Sequence, residues 1–353
     1  MATAQPEWRG LHYRTAPELA SWLALAQPEA VIDPARRIID PHHHLWMSGH
    51  TGRYLLDDLL EDTNSGHDIR ATVYLQASAM YRKDGPPHLK PVGETEFANG
   101  VAAMSASGNF GDTRVCAAII GYADLRLGRG AAEAIVAHIR AGGDRLRGFR
   151  QPIDNGGGII AQKRGGTPNV PDLYGDPDFR AGLAIAQSHG LHFETWQFHF
   201  QLPDILDLAR AFPDLTIVVG HCGGPVRAAH WAENLDEVWR VWHANIIALA
   251  RAPNVIMKVG GLAMPYAGFN FHARERPPTG AEMAAEWRPW VEHCVQSFGP
   301  ERCMFESNFP VDRQSCTYRA LWNAFKLLAA DYSEAEREAM FYGTANRVYR
   351  LSL

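Results

Sequence analysis

Long hydrophobic runs are missing from this sequence. None of the apolar stretches in its 353 residues approaches the ~20 residues that a membrane-spanning helix needs, so we expect no membrane partner. The first eight residues carry neither the charged nor the apolar region of a signal peptide. Cysteine is also scarce: the five cysteines are odd in number and scattered, and none forms a Cys-x-x-Cys pair. The sequence therefore predicts reduced thiols and a cytoplasmic protein.

A strong excess of charge of one sign is absent as well. The formal net charge is -5, and acidic and basic residues are mixed throughout, without the basic stripe that a nucleic-acid-binding protein carries. Hydrophobic residues make up 46% and charged residues 21% of the chain, which permits a large core and argues against disorder. We therefore expect no nucleic-acid partner but a small-molecule substrate. The oligomeric state stays open between a monomer and a homo-oligomer.

Short apolar runs alternate with helical stretches along most of the chain. Several runs are continuous rather than alternating, which is typical of parallel strands buried on both faces. Eight runs are expected to form strands: 37–40, 71–76, 115–120, 146–149, 192–196, 216–220, 255–259 and 303–306. Eight strand–helix units without a break in composition predict an α/β fold, a (β/α)8 TIM barrel formed by residues 37–353 as a single domain. Residues 1–36 are predicted to be an N-terminal extension with a short helix at 16–26.

Three consecutive histidines follow the first predicted strand, in the sequence Asp40-Pro41-His42-His43-His44. Because side chains alternate along a strand, His42 and His44 are expected to point to one side and His43 to the other. Two neighbouring imidazoles at the mouth of a strand can hold a metal, bind a carboxylate or polarise a carbonyl. The alternative is a histidine-rich turn without chemistry.

A fourth histidine, His221, ends the sixth predicted strand just before a glycine turn. In a barrel it would project towards the axis and face His42 and His44, which favours a shared site at the C-terminal mouth. The alternative is a polar residue whose hydrogen bonds are satisfied within the fold.

Cationic side chains occur on two other predicted strands. Arg147 and Arg150 lie at the end of the fourth strand, where a guanidinium is suited to bidentate binding of a carboxylate; an ion pair with a neighbouring loop is the alternative. Lys258 interrupts the apolar seventh strand, so it must either be paired or face the mouth, because an unpaired buried charge is costly. Three further residues near strand ends complete the expected substrate-binding set: Gln76, Trp46 and Tyr81.

The eighth predicted strand and its exit contain Glu306 and Asn308 on one face. Hydrolysis needs a group that accepts a proton from water, and a neutral amide such as Asn308 cannot do so. Glu306 is the nearest carboxylate, so it is the predicted base, with His221 as the second candidate. The alternative for Glu306 is a buried, salt-bridged strand residue.

These motifs together resemble the amidohydrolase-related family. Asp-Pro-His-His-His-Leu-Trp, Leu-Arg-Gly-Phe-Arg, His-Cys-Gly-Gly-Pro and Met-Phe-Glu-Ser-Asn-Phe-Pro-Val-Asp occur in the family's order, from about residue 37 to the end of the chain. The branch that looks most similar holds 2-pyrone-4,6-dicarboxylate lactonase, fuconolactonase and sulfomuconolactone hydrolase. The resemblance implies a somewhat distorted TIM barrel that hydrolyses a lactone or a similar small ester.

The resemblance also implies roles for individual residues. The histidines of that branch hold the substrate carbonyl or, in some members, a zinc ion, and these roles map onto His42, His44 and His221. The fourth-strand arginines hold substrate carboxylates, and this role maps onto Arg147 and Arg150.

One departure from the family lies in the eighth strand, which normally ends Gly-Ser-Asp with the aspartate activating water. This chain has Glu306-Ser307-Asn308, so the usual base is missing and a carboxylate lies two residues earlier. The fifth-strand region offers no histidine unless His199 reaches the site, and the fourth strand offers no lysine for carbamylation. We therefore expect either no cofactor or a single divalent metal, zinc, in a site weakened by the missing aspartate. Its expected ligands are His42, His44 and His221, with or without Glu306.

Three functions remain open on the sequence alone. The first is a hydrolase that opens a lactone or similar cyclic ester bearing a carboxylate, with water activated in a histidine-rich pocket. The second is a zinc-dependent decarboxylase of an aromatic or related carboxylic acid, which would need a fifth-strand histidine and an eighth-strand aspartate. The third is an inactive or binding-only relative, which the asparagine at position 308 permits.

Overall fold

A single sheet of eight parallel strands forms the centre of the protein. The computed structural model describes residues 13–49, 52–153 and 172–353. The strands are hydrogen-bonded in chain order and are β1 (Arg37–His43), β2 (Asp68–Leu75), β3 (Arg114–Gly121), β4 (Leu146–Arg150), β5 (His192–Thr195), β6 (Ile217–Val219), β7 (Val255–Val259) and β8 (Cys303–Phe305). The eight predicted strands and the TIM-barrel prediction are confirmed. β1 is three residues longer than expected, so His42 and His43 belong to the strand itself.

The barrel is closed by the segment that follows β8. His43 forms a parallel bridge with Phe309, whose carbonyl oxygen accepts a hydrogen bond from the amide of His44 at 2.8 Å. The amide of Asn308 donates to the carbonyl oxygen of His42 at 3.0 Å. Closure therefore brings the first-strand histidines next to the exit of the eighth strand.

A helix lies between each pair of consecutive strands, as expected for right-handed crossovers between parallel strands. These are α2 (Leu56–Thr63), α3 (Val92–Ala106), α4 (Ala131–Gly142), α5 (Pro177–Ser188), α6 (Leu202–Ala211), α7 (Leu235–Ala250) and α8 (Gly280–Phe298). The N-terminal helix α1 (Ala16–Leu23) precedes the barrel, and three helices follow β8: α9 (Tyr318–Leu328), α10 (Glu334–Glu338) and α11 (Thr344–Tyr349). In the described ranges, no helix is long and apolar enough to cross a membrane.

Apolar residues of the strands belong to two hydrophobic clusters, one inside the barrel and one between the strands and the surrounding helices. Adjacent residues of β1 fall into different clusters: Ile38 packs with the helices, whereas Ile39 packs with residues from β2, β3 and β6 to β8. The inner cluster also contains Tyr349, the last residue of α11. The C-terminal segment therefore covers the end of the barrel opposite the strand exits.

All five cysteines are buried with free thiols, in agreement with the expectation of reduced cysteines. The glycine-rich stretches at 155–158 and 164–166, which the sequence predicts to be a loop after the fourth strand, lie outside the described residues.

Candidate active site

Three imidazoles meet at the C-terminal mouth of the barrel. The ring of His42 lies 4.9 Å from that of His44 and 4.7 Å from that of His221, between ring centroids. His43 points to the other side of β1, where its Nε2 lies 2.9 Å from the hydroxyl of Thr72. The alternation of side chains along β1 therefore produces the arrangement expected from the sequence.

His221 is held in an unusual backbone conformation. It has φ 60°, and the next three residues also have positive φ, at 51°, 72° and 65°. A histidine in the left-handed region is uncommon, and such outliers concentrate at functional sites, where the surrounding structure holds them in place. The turn aims the backbone amide of His221 at Oε1 of Glu306, at 2.8 Å.

The carboxylate of Glu306 lies between two of the imidazoles. Its Oε1 accepts a second hydrogen bond, from Nδ1 of His221 at 2.8 Å, and its Oε2 lies 2.7 Å from Nδ1 of His42. The contact with His42 is out of line with the ring nitrogen, so it is a close contact rather than an aligned hydrogen bond. The Glu306 side chain is 0% exposed, so it has no contact with bulk water.

Two glycines after β7 leave room for this arrangement. A β-carbon on Gly260 would lie 2.4 Å from the carbonyl oxygen of Glu306 and 2.5 Å from its Cγ. A β-carbon on Gly261, which has φ +66°, would lie 2.5 Å from Nδ1 of His221. Any larger residue at these two positions would displace the carboxylate or the imidazole.

The hydrogen-bond partners determine where the ring protons lie. Nδ1 of His44 faces the carbonyl oxygen of Leu75 at 2.9 Å, and a carbonyl can only accept, so this nitrogen carries the proton. Nδ1 of His221 also carries a proton, because it faces Oε1 of Glu306, a carboxylate oxygen that can only accept. The same oxygen accepts a hydrogen bond from the backbone amide of His221. In the neutral form of either ring, Nε2 then carries the lone pair.

Arg150 reaches the same place from the end of β4. One guanidinium nitrogen, Nη1, lies 3.3 Å from Nε2 of His42, and the other, Nη2, donates to the carbonyl oxygen of Gln76. A guanidinium is only a donor, so Nε2 of His42 must be an acceptor. Burial first, and then the charges of Lys258, the other imidazoles and Arg150, lower the pKa of His42 well below its ordinary value.

The donor set fits a divalent metal. His42, His221 and Glu306 each offer a ligand atom within 4.8 Å of the others. Nε2 of His42 also lies 3.2 Å from Nε2 of His44, although both nitrogens carry lone pairs. Two facing lone pairs repel each other unless a hydrogen-bond donor or a cation lies between them. Histidines whose Nδ1 protons are held by carbonyl or carboxylate oxygens are the usual ligands of zinc.

Asn308, which takes the place of the expected aspartate, binds a carboxylate of its own. It has φ 55°, and its Nδ2 donates to Oδ1 of Asp312 at 2.8 Å. Burial, with the nearby charge of Glu306, raises the pKa of Asp312 well above its ordinary value. The amide of Ala263 donates to the other oxygen of Asp312 at 3.2 Å. The loop after β8 thus brings a second buried carboxyl group close to the site.

Asp40 is a positioning residue that the sequence reasoning missed. Its Oδ1 accepts from the amides of Ser307 at 3.0 Å and His42 at 3.3 Å, and its Oδ2 accepts from the hydroxyl of Tyr318 at 3.0 Å. Asp40 therefore ties β1 to the exit of β8 directly below the histidines. A carboxylate within an apolar strand, next to the histidine motif, was the available signal.

Two of the expected substrate-binding cations do not reach the imidazoles. The guanidinium of Arg147 donates to the carbonyl oxygens of Tyr349 at 2.6 Å and Arg350 at 3.3 Å, at the covered end of the barrel. Lys258 is fully buried, and its Nζ donates to Oε2 of Glu194 at 2.6 Å. This lysine is therefore paired with a carboxylate inside the barrel. Burial, the largest single influence, would raise the pKa of Glu194, but the charges and hydrogen bonds of Lys258 and His192 together outweigh it and lower that pKa to about 2.

The remaining expected residues line the approach from β1 and β2. Trp46 stacks on His44, with ring centroids 5.7 Å apart and planes inclined by 15°. Gln76 contributes its backbone oxygen to Arg150 rather than its side chain. Tyr81 is half-buried in the loop after β2. Of these three residues, Trp46 is the one whose ring stacks on an imidazole.

An aromatic wall, formed by Trp196, Phe198 and Tyr266, borders the site on the opposite side. Trp196 meets His221 edge-on at 5.5 Å and stacks with Tyr266 at 5.5 Å. His199 packs against the ring of Trp231, with 5.2 Å between the ring centroids. It does not belong to the cluster of His42, His221 and Glu306. The loops after β5 and β7 thus supply an apolar surface to the site.

Comparison with known sequences assigns the family. The profile of the family described as "Amidohydrolase" matches residues 39–351. The chain belongs to the amidohydrolase family. It is accordingly a hydrolase, as the sequence motifs predict, and the match begins in β1 and runs through α11.

Individual relatives cover nearly the whole barrel. An uncharacterized protein of Sinorhizobium fredii is 29% identical over 335 residues, covering 89% of this chain and 98% of the relative. The L-fucono-1,5-lactonase of Burkholderia multivorans is 27% identical over 326 residues, covering 89% of this chain and 96% of the relative. The crystal structure of a zinc-bound amidohydrolase from Burkholderia multivorans is 26% identical with a TM-score of 0.67, covering 89% of this chain and 99% of that one.

Proposed function

We propose that this protein opens a lactone or similar small cyclic ester that bears a carboxylate. The observation that carries the proposal is the buried carboxylate of Glu306, which contacts Nδ1 of both His42 and His221 at 2.7 and 2.8 Å. The guanidinium of Arg150 lies 3.3 Å from the far side of the His42 ring. Similarity to the L-fucono-1,5-lactonase of Burkholderia multivorans supports a lactone as the substrate class.

In the proposed reaction, water attacks the carbonyl carbon of the lactone and the ring C–O bond breaks. Nε2 of His221, on the opposite side of the ring from Glu306, takes the proton from water and returns one to the departing ring oxygen. Glu306 holds the Nδ1 proton of His221 and stabilises the imidazolium that forms, as a carboxylate does behind a catalytic histidine. Glu306 is thus a positioning residue, because its oxygens are already engaged by His42 and His221.

His42, His44 and His221 would hold a divalent metal through ring nitrogens, and Glu306, which contacts Nδ1 of His42 and His221, would orient those two rings. When bound, the metal would polarise the lactone carbonyl and lower the pKa of water. Glu306 and Leu75 hold the Nδ1 protons of His221 and His44, so that the lone pair of each ring lies on Nε2. This tautomer suits a histidine that binds a metal and equally one that acts as a base.

The aromatic wall and Arg150 define two sides of the proposed substrate site. Arg150 offers a permanent positive charge to a carboxylate, whereas the wall offers Trp196 and Tyr266 to the apolar face of a ring. A cyclic ester with a carboxylate at one edge satisfies both sides.

A panel of substrates tests the proposal. Five- and six-membered lactones, each with and without a carboxylate, are followed by proton release, and aromatic carboxylic acids are followed by release of CO2. We expect ring opening, fastest for the lactones with a carboxylate. Release of CO2 without any lactone opening would replace the proposal with the decarboxylase function, and no turnover with either class would favour a binding-only relative.

Arg150→Lys is expected to raise KM for a carboxylate-bearing lactone by about tenfold or more, because the charge remains but the bidentate fork is lost. Steady-state kinetics on the wild type and the variant measure the effect. Arg147→Lys is the matched control, and it should leave KM unchanged because Arg147 bonds to backbone carbonyls at the other end of the barrel. Equal KM values for Arg150→Lys and the wild type would remove Arg150 from substrate binding.

A further inference from the structure

The Nε2 lone pair of His42 faces two neighbours at once. Nε2 of His44 lies 3.2 Å away with a lone pair of its own, and Nη1 of Arg150 lies 3.3 Å away with a proton to donate. The imidazole pair is therefore arranged to receive a cation, and a cation that belongs to the chain already stands beside it.

Arg150 is fixed in this position by its surroundings. The residue is 4% exposed, and it is paired in register with Glu194 of the neighbouring strand β5. Its Nη2 donates to the carbonyl oxygen of Gln76, at the end of β2. A guanidinium keeps its charge at every accessible pH, so the positive charge beside His42 is permanent.

We infer that Arg150 competes with a divalent metal for the Nε2 lone pair of His42 and thereby sets a low metal affinity for this site. The competition has two parts. The guanidinium donates to the lone pair that a metal would need, and its charge repels a second cation in a buried place where water screens little. The inference goes beyond the proposed function, since it holds whatever the site turns over.

The competition also bears on substrate binding. A substrate carboxylate that engages the guanidinium neutralises its charge and draws its donor away from His42. The His42 lone pair then becomes available to a metal or to the substrate's own hydrogen bonds. Arg150 thus couples recognition of the substrate to the state of the imidazole pair.

Zinc binding to the metal-stripped, full-length protein tests the inference directly. The wild type, Arg150→Gln and Arg150→Lys are titrated with ZnCl2 in competition with a chromophoric chelator, and each variant is checked for folding by its melting curve. Arg150→Gln keeps a donor for Gln76 but loses the charge, so we expect it to bind zinc about ten- to a hundredfold more tightly than the wild type. Arg150→Lys retains the charge and should bind zinc as weakly as the wild type.

Two results would overturn the inference. The first is a zinc affinity of Arg150→Gln that equals or falls below that of the wild type. The second is an equal gain for Arg150→Lys, which would show that the charge is not the cause. Arg150→Met, which retains an unbranched side chain without charge or donor, takes the place of Arg150→Gln if that variant fails to fold, and it should show the same gain.

Discussion

Glu306→Gln is expected to lower kcat for lactone opening by about 10²–10⁴-fold while the protein stays folded. Glutamine keeps the size of the side chain but replaces one acceptor oxygen with an NH2 donor. Oε1 accepts from the backbone amide and from Nδ1 of His221, and Oε2 lies against Nδ1 of His42. The new NH2 group of the glutamine must therefore point at an N–H group of His221 or at the Nδ1 side of His42. One imidazole then changes its tautomer and loses the free Nε2 lone pair.

Steady-state kinetics and a melting curve of the same preparation measure this effect. Glu301→Gln is the control, since Glu301 is exposed in the turn just before β8 and should tolerate the change without loss of activity. Full activity of a folded Glu306→Gln protein would place the chemistry elsewhere and leave Glu306 as a structural residue.

Gly260→Ala is expected to reduce kcat/KM by about 100-fold or more, because a shift of about 1 Å in a catalytic group has an effect of that size. The new methyl group would overlap the carbonyl oxygen and Cγ of Glu306, at 2.4 and 2.5 Å. The backbone oxygen cannot move without moving the strand, so the carboxylate must leave its place between the imidazoles. Overpacking should also lower the free energy of unfolding by about 1–3 kcal/mol.

Gly100→Ala is the matched control for this change. Gly100 lies in α3, where an added β-carbon meets no atom within 4 Å. Alanine is the better helix former, so this variant should gain about 0.5–1 kcal/mol of stability at unchanged activity. Wild-type kinetics for Gly260→Ala would show that the position of Glu306 is not critical.

The strands and the first-strand histidines could be predicted because each depends on a local rule. Continuous apolar runs that alternate with helical stretches indicate buried parallel strands, and the period of two along a strand decides that His42 and His44 share a face. The meeting of His42 with His221 follows from the barrel itself, which directs the ends of all its strands to one mouth.

The pairing of charged groups could not be predicted, because it depends on contacts between distant parts of the chain. Arg147 donates to the carbonyl oxygen of Tyr349 across 202 residues. Lys258 meets Glu194 across 64 residues, and His221 meets Glu306 across 85 residues. A single sequence states which charges exist but not which of them neutralise one another.

The position of the ring protons is the claim on which the proposed chemistry and the role of Arg150 both rest. ¹⁵N NMR of the histidine-labelled, metal-stripped protein measures it directly, with each site histidine assigned by the signal lost in its single variant. The structure predicts that Nδ1 of His44 and Nδ1 of His221 each carry a proton, because Leu75 and Glu306 accept them. It also predicts that Nε2 of His42 carries none, because the guanidinium of Arg150 can only donate to it. A proton on Nε2 of His42, or no proton on Nδ1 of His221, would contradict the account.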